Sequence, residues 1–173
     1  MTGDASRLRQ VVTNIVGNIH RYTPADSPVE ISMGVLPASI SPESLSRMPA
    51  NERSMHHLVE AIEVGQSMQV GMNYAIVRFS DHGPGVPPEA RSKIFERFYT
   101  ADPSRARQKG GTGLGMAIAQ SVVKAHHGFI CASGSEGGGL TLTVVLPVAP
   151  VEPRPAPEAE TRKADKKGRK TKK

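Results

Sequence analysis

The sequence contains no tryptophan, one cysteine and few aromatic residues, and each shortage excludes something. Aromatic residues make up 4% of the chain, so the core of a folded domain must be built mainly from aliphatic side chains. The single cysteine, Cys131, excludes an intrachain disulfide and fits a reducing compartment such as the cytoplasm. No apolar run approaches the ~20 residues of a membrane helix, and no signal peptide is evident, so we expect no membrane segment in this chain.

The positive charge is concentrated at one end of the chain. The net charge is +6, but residues 162–173 hold eight Lys or Arg and one Asp. Residues 1–161 hold fourteen basic and fifteen acidic residues and are close to neutral. This balance argues against nucleic-acid binding by the folded body. The basic end is interpreted as a solvated extension, with contact to an anionic membrane or nucleic acid as the alternative.

A helix with two distinct faces is predicted over residues 4–22, with Asp4 as its cap. Apolar residues recur at helical spacing, namely Leu8, Val11, Val12, Ile15 and Ile19. A second stripe is polar and consists of Gln10, Asn14, Asn18 and Arg21. Such a face is often only solvated, but two asparagines are unusual there because Asn is a mediocre helix former.

The remaining pattern predicts a sheet with helices on one face. Alternating or short apolar runs predict strands at 29–35, 75–79, 130–133 and 140–146, the last two joined by a glycine turn at 137–139. Further helices are predicted at 88–95 and 112–127. The buried stripe of the second is expected to be Leu114, Ala117, Ile118, Val122 and Ala125, with Gly128 as its cap. This order predicts a two-layer α/β sandwich, in which a mixed, mainly antiparallel sheet is covered on one face by about three helices.

The folded domain is predicted to span residues 1–147, with an insertion at about 36–74 and a tail at 148–173. Four apolar residues of the insertion have helical spacing, namely Met55, Leu58, Val59 and Ile62. We interpret the insertion as a tolerated surface segment, because the entropy cost of closing a loop grows only with the logarithm of its length; a docking element for another domain is the alternative. The tail is rich in Pro, Ala, Glu and then Lys, and cannot bury enough apolar surface to fold.

The stretch from Phe79 to Gly115 contains two candidate ligand-binding motifs. Asp81 ends a predicted strand and is followed by Gly83 and Gly85. A carboxylate only accepts hydrogen bonds, so Asp81 suits a ligand with an amine, such as adenine. The later glycine cluster, 110–115, opens a predicted helix, where exposed amides and the helix dipole favour phosphate. It is neither a P-loop, since no Gly-Lys-Ser/Thr follows, nor a dinucleotide fingerprint, whose third glycine is replaced by methionine.

Four segments in this order resemble the boxes of the gyrase/histidine-kinase ATP-binding superfamily. They are Asn14-Ile-Val-Gly-Asn18, Asp81-His-Gly-Pro-Gly85, Phe95-Glu-Arg-Phe-Tyr99 and Gly111-Thr-Gly-Leu-Gly115. The likeness is greatest to the catalytic domain of bacterial sensor histidine kinases. It covers residues 4–147 apart from the insertion, and it implies the Bergerat fold, truncated at its N-terminus because relatives have a strand before the first helix. It also implies ATP and Mg²⁺ as cofactors.

The resemblance assigns roles to individual residues. The implied catalytic residues are Asn14, Asn18 and Arg21, with Asn18 as the Mg²⁺ ligand. The implied ATP-binding residues are these three and Tyr22, Asp81, Gly83, Gly85, Val86, Phe98, Lys109, Gly111, Thr112, Gly113, Leu114 and Gly115. A mobile lid is implied at about Thr100–Gly110. Many relatives carry Arg where this chain has Thr100, and the candidates for supplying that charge are Arg97, Arg105, Arg107 and Lys109.

Asn14 bears on which reaction is expected. Gyrase-like ATPases and anti-sigma serine kinases place Glu at this position to activate water or a hydroxyl. Asparagine cannot take a proton, whereas a neutral histidine already offers a lone pair, so Asn14 favours phosphoryl transfer to histidine. The less favoured alternative is such an ATPase or serine kinase.

None of the six histidines lies in the His-Glu/Asp pattern of a phosphoacceptor. We therefore expect the chain to be a fragment or split gene product. Its expected partners are a phosphoacceptor hairpin, in the same parent protein or a separate chain, and a downstream response regulator. The parent kinase is expected to be membrane-anchored, with this part in the cytoplasm. A non-catalytic ATP-binding regulatory module is the alternative.

Overall fold

The computed structural model describes residues 3–36, 72–101, 111–135 and 137–148. The helices within these ranges are α1 (Ala5–Tyr22) and α2 (Gly115–Ala125). The strands are β1 (Val29–Leu36), β2 (Asn73–Asp81), β3 (Phe129–Gly134) and β4 (Leu140–Val148). Two short 3₁₀ turns, Pro88–Ala90 and Lys93–Phe95, lie between β2 and α2.

The four strands form one sheet in the order β1-β2-β4-β3. Each pairing among the described strands is antiparallel. Residues paired across such strands point to the same side, so Phe79, Leu142 and Ala132 share one face of the sheet. The helices pack on this face, which confirms the predicted α/β sandwich.

The core lies between the helices and this face of the sheet. It is aliphatic apart from two phenylalanines, as the composition predicted. Its main members are Val11, Ile15, Ile19, Phe79, Phe95, Met116, Ala119, Val122, Val123, Ile130, Leu140, Leu142 and Val144. Burying a side chain as fully as Ile15 contributes roughly 1.5–3 kcal/mol. Small Ala119, which is also fully buried, lets α1 and α2 approach closely.

Two polar side chains fix where α1 begins. Oδ1 of Asp4 accepts hydrogen bonds from the amides of Ser6 and Arg7, at 2.9 and 3.1 Å, which confirms the predicted cap. The buried His126 ring, at the end of α2, accepts a 3.1 Å hydrogen bond at Nε2 from the Asp4 amide. Its Nδ1 lies 2.8 Å from the Val122 carbonyl oxygen and must donate, because that oxygen can only accept. The start of α1 is thereby tied to the end of α2.

Several predicted boundaries were wrong. The segment 88–95 forms two 3₁₀ turns rather than one helix, and α2 starts at Gly115 rather than Thr112. β4 continues through Pro147, which pairs with Tyr74 of β2. The pairing between β3 and β4 extends only to Phe129 and Val145, so β3 does not lie beside Pro147. The missing N–H of Pro147 therefore costs no hydrogen bond on that side of β4.

The predicted apolar stripes were partly wrong. Val12 and Ile118 are exposed, and Leu114 precedes α2 rather than belonging to it. The buried line of α1 runs through Val11, Ile15 and Ile19, and Val12 lies about 100° around the helix from Val11. Which flank of an apolar stripe is buried depends on the neighbouring helix, and the sequence of one helix does not contain that information.

One row of apolar side chains lies beyond the helices. Val29, Ile31, Met33 and Val35 of β1 are 43, 60, 81 and 59% exposed. They share the face of Phe79, but within the described residues α1 lies over β2 rather than over β1. This face of the edge strand is therefore open.

Some predictions fall outside the described residues. These are the bulk of the insertion with its four spaced apolar residues, Lys109, most of the lid and the tail. Where the structure does describe the chain, it contains no helix long and apolar enough to cross a membrane.

The end of α2 differs from the prediction in a testable way. His127, not Gly128, has the left-handed conformation, with φ of 57°. Gly128 donates its amide to the Val123 carbonyl at 3.0 Å, and a Cβ on it would collide with the Val145 carbonyl oxygen of β4. Glycine is thus required at 128 by close approach rather than by its φ.

We expect His127→Gly to raise the free energy of unfolding by about 0.5–1 kcal/mol, because the relief of left-handed strain exceeds the added chain entropy. Gly128→Ala should lower it by about 1–3 kcal/mol through the clash with β4. Urea unfolding followed by circular dichroism measures both. The opposite pattern, a stabilising change at 128 and a costly one at 127, would show that Gly128 is the cap after all.

Candidate functional site

A cavity of about 370 Å³ opens between α1, the end of β2 and the start of α2. Ten of the predicted site residues line it: Asn14, Asn18, Arg21, Tyr22, Asp81, Gly85, Val86, Thr112, Gly113 and Gly115. Gly83, Phe98, Gly111 and Leu114 are described but are not among the lining residues, and Lys109 lies outside the described ranges. Side chains separated by about 70 positions in the sequence thus share one cavity.

Asp81 is buried at the end of β2 and is held by backbone amides. Its Oδ1 accepts hydrogen bonds from Gly83, at 2.8 Å, and from Leu140, at 3.3 Å. Gly83 therefore orients the carboxylate although it does not line the cavity. The Leu140 amide comes from the start of β4, so the β3–β4 hairpin helps to position Asp81.

Gly139 is the residue that brings this hairpin close enough. Its φ is +97°, and a Cβ on it would collide with the carbonyl group of Asp81. Only glycine satisfies both requirements. The sequence predicted 137–139 as a turn and missed its contact with Asp81. The only sign of this contact in the sequence was a third consecutive glycine, because two are enough for a hairpin turn.

Phe98 shapes the site through its backbone. Its amide donates to the Gly113 carbonyl oxygen at 2.9 Å, and its own φ is +65°. Gly113 has φ of +67°, and a Cβ there would lie 2.7 Å from the Phe98 carbonyl carbon. The Phe98 ring is exposed, while the next residue, Tyr99, lines the cavity.

Asn14 faces the start of α2 with an unpaired donor. Its Nδ2 is buried and has no hydrogen-bond partner among the described residues. A Cβ at Gly115 would lie 3.8 Å from Asn14 Oδ1, an ordinary van der Waals distance, so the start of α2 lies directly beside Asn14. An unpaired buried amide group costs roughly 1–3 kcal/mol, and such a group in a cavity indicates a ligand that completes its bonding.

The N-terminus of α2 is also open to a ligand. Leu114 occupies the cap position without a side-chain hydrogen bond, and the first turn contains no acidic residue. Its amides and the positive end of its dipole favour an anion in the adjoining cavity. The described residues contain no cluster of three or more His, Cys, Asp or Glu that could hold a metal ion. A cation here would depend on amide oxygens such as that of Asn18, on water and on the ligand itself.

The sequence did not predict the apolar wall of the cavity. The lining residues beyond the ten named above are Thr13, Gly17, Ile19, Thr23, Pro84, Ile94, Tyr99, Thr100, Ala101, Met116, Leu140 and Leu142, most of which are apolar. Gly17 could have been found, since it directly precedes Asn18 on the same helix. Leu140 and Leu142 come from β4, which lies beside β2 only in the folded sheet.

Comparison with known proteins places the chain in a family. The chain is 36% identical over 135 residues to the probable sensor histidine kinase TcrY of Mycobacterium tuberculosis, covering 78% of this chain and 21% of that protein. It is 32% identical over 146 residues to the signal transduction histidine-protein kinase BaeS of Escherichia coli, covering 84% and 24%. The chain thus spans about a fifth to a quarter of the length of these curated relatives.

A solved structure agrees with these relatives. Full-length ShkA in complex with AMPPNP superimposes with a TM-score of 0.54 at 25% identity, covering 83% of this chain and 22% of ShkA. Residues 3–150 match the family described as histidine kinase-, DNA gyrase B- and HSP90-like ATPase. The chain belongs to this family.

Proposed function

We propose that this chain transfers the γ-phosphoryl group of ATP to a histidine on a separate helical hairpin, as the catalytic domain of a two-component sensor kinase. The observation that carries the proposal is the convergence of Asp81, Asn14, Asn18 and the start of α2 on one cavity. These groups offer an acceptor for a purine amine, donors for phosphate oxygens and an oxygen for a hard cation. Relatives named as sensor histidine kinases support the reaction class.

Asp81 would select the base. Because its Oδ1 already accepts two amides, the second carboxylate oxygen would accept the exocyclic amine of adenine. Guanine has a carbonyl oxygen at that position, so two acceptors would face each other at a cost of roughly 1–3 kcal/mol. Val86, Met116 and Leu142 would pack against the base, since they form part of the apolar wall.

The start of α2 and the polar stripe of α1 would hold the phosphates. The uncapped amides of α2 suit an anion, and the buried Nδ2 of Asn14 supplies a donor that the described residues leave unpaired. Asn18 Oδ1 fits a Mg²⁺ ligand, because Mg²⁺ takes few protein oxygens and shares its remaining shell with phosphates and water. When bound, Mg²⁺ supplies charge neutralisation. Arg21, which lines the same cavity, would add positive charge.

Asn14, unlike a glutamate at the same position, cannot act as a base. An amide cannot accept a proton at neutral pH, so Asn14 would position the nucleotide rather than activate a nucleophile. A neutral histidine ring needs no deprotonation before its nitrogen attacks phosphorus. The site is therefore suited to transfer to histidine and poorly suited to hydrolysis.

The proposed partners follow from this reaction. A phosphoacceptor hairpin, in the parent protein or a separate chain, would receive the phosphoryl group and pass it to a response regulator. The parent kinase would be membrane-anchored with this domain in the cytoplasm. The near-neutral body would not bind nucleic acid.

A second candidate is a regulatory ATP-binding module without transferase activity. It is favoured by Thr100, which lines the cavity at a position where many relatives carry Arg. A transferring phosphoryl group needs its charge neutralised, and a threonine cannot do so.

We expect Asp81→Asn to weaken binding of a fluorescent ATP analogue by about tenfold to a hundredfold, because the new amide places a donor against the adenine amine. Wild-type protein should prefer ATP to GTP in competition, and the variant should lose this preference. Asp26→Asn, a change of the same kind at an exposed carboxylate outside the cavity, is the matched control. Equal affinities for wild type and Asp81→Asn would exclude the assigned base site.

Transfer itself distinguishes the two candidates. With Mg-ATP and an added phosphoacceptor hairpin from a sensor histidine kinase, we expect acid-labile, alkali-stable phosphate on the hairpin. Asn18→Ala should slow its appearance by roughly a hundredfold, the effect typical of removing one group that stabilises the transferring charge. Gln10→Ala, which truncates an amide of the same stripe outside the cavity, should not. Normal nucleotide binding with an unlabelled hairpin would establish the regulatory module instead.

A further inference from the structure

The strand β1 lies at an edge of the sheet and is accessible along its length. Among the described strands it pairs only with β2, so alternate N–H and C=O groups on its other side point away from the sheet. Residues 29–35 are exposed on both faces of the strand. A Cβ built on Gly34 would meet no atom within 4 Å. Another strand can therefore reach this edge along residues 29–35.

This edge lacks the features that usually protect an exposed strand from pairing with another chain. Such strands commonly carry lysine, proline or a bulge. β1 reads Val-Glu-Ile-Ser-Met-Gly-Val-Leu, and its single charged residue is Glu30. Its register with β2 runs without interruption from Val29 to Leu36, so the strand has no bulge. A regular, mostly apolar edge strand of this kind is suited to binding a further strand.

The exposed apolar row of β1 continues onto α1. Val12 and Val16 of α1 are 46 and 42% exposed. Each lies two positions from Asn14, which faces α2, so both are on the opposite flank of the helix. Because α1 lies over β2 and α2 lies over β3 and β4, that flank faces the side of β1. The row and this flank form one apolar surface, with a strand as its floor and a helix as its wall.

We propose that β1 pairs with β1 of a second copy of this chain, antiparallel and about a two-fold axis at Ser32. The two four-stranded sheets then form one continuous sheet. Across the seam Ile31 lies opposite Met33, and Val29 lies opposite Val35. The two apolar rows thus lie side by side on the same face, and each member of a row gains an apolar neighbour.

The charged residue of the strand agrees with this register. Glu30 lies opposite Gly34 of the second copy, which has no side chain, so Glu30 keeps its 3.5 Å approach to His82 Nε2. An axis at Glu30 would instead bring two carboxylates directly opposite each other. A slip of one residue would turn the two apolar rows to opposite faces of the sheet. The sequence of β1 is therefore complementary to itself in the register centred on Ser32.

The pairing also supplies a second wall for the apolar surface. Because α1 lies over β2, the two copies of α1 stand three strand spacings apart, or about 14 Å. Helices in direct contact lie about 8–10 Å apart, so this space is too narrow to admit a further helix between them. The paired rows occupy it, together with Val12 and Val16 from each side. The dimer therefore closes a second apolar core without another partner.

The nucleotide cavity stays open in this dimer. Asn14 and the start of α2 lie on the flank of α1 that faces away from the seam. The helices of both copies cover the same face of the joined sheet, so the two cavities lie on the same side of the dimer. The pairing is independent of the reaction proposed above, and either can fail alone.

Sedimentation velocity of the full chain at about 100 μM, well above the dissociation constant of a micromolar dimer, measures the pairing. We expect twice the monomer mass. Met33→Lys places a charge in the paired row and should raise the dissociation constant by about tenfold or more. Ile118→Lys, the same charge at an exposed aliphatic residue of α2 outside the seam and the cavity, should not.

Cross-linking tests the register, after the single cysteine has been removed by Cys131→Ser. In Ser32→Cys the Cβ atoms of the two copies lie about 5 Å apart, whereas in Gly34→Cys they are offset by four residues, or about 14 Å. A short bismaleimide should therefore link the first variant and not the second.

Far-UV circular dichroism and a cooperative thermal transition show that each variant is folded. A wild-type chain that is monomeric at about 100 μM would overturn the proposal. Equal weakening by both lysine variants would do so too, because it would show association that does not depend on β1. Equal cross-linking of both cysteine variants would exclude the two-fold axis at Ser32.

Discussion

The geometry of the site depends on one anchored carboxylate. Asp81 ends β2 inside the fold, and the amides of Gly83 and Leu140 hold its Oδ1 in place. A buried carboxylate without such donors would lose far more solvation energy than it gains from the protein. The two amides solve that problem and also fix which way the remaining oxygen can point. Gly139 completes the arrangement, because any side chain there would push the hairpin away from the Asp81 backbone.

The opposite wall of the cavity comes from two helices that meet closely. α1 and α2 pack through small and aliphatic residues, and the His126 ring bonds the end of one helix to the start of the other. At the other end of α2, its first residue, Gly115, lies beside Asn14. The polar stripe of α1 and the uncapped amides of α2 therefore face the same space. An anionic ligand would meet donors from both elements, which is why phosphate is the chemistry that the site supports best.

Much of this site could be predicted from short patterns, because each pattern combines local geometry with chemistry. Asn14 and Asn18 lie one helical turn apart, and Asp81 ends a strand, and the structure places all three residues in the lining of one cavity. Residues that act through contacts distant in sequence were missed. Gly139 lies 58 positions beyond Asp81 in the sequence. Leu142, which lines the cavity, belongs to β4, and the sequence does not specify that β4 pairs with β2. The helix cap at Gly128 was wrong because glycine at a helix end has two possible reasons, left-handed φ or close approach, and the pattern does not distinguish them.

The sequence by itself determined the helices and strands with clear hydrophobic periodicity, the capped start of α1 and the α/β sandwich fold class. It also determined which side chains have the hydrogen-bonding groups that a nucleotide site needs. These follow from spacing, propensity and residue type, which act over a few neighbouring positions. Only the tertiary structure decided which flank of each helix is buried and that the Phe98 ring is exposed. Such features are set by packing between segments far apart in the chain, where small differences in shape and close approach, rather than local preference, choose among the arrangements that the sequence permits.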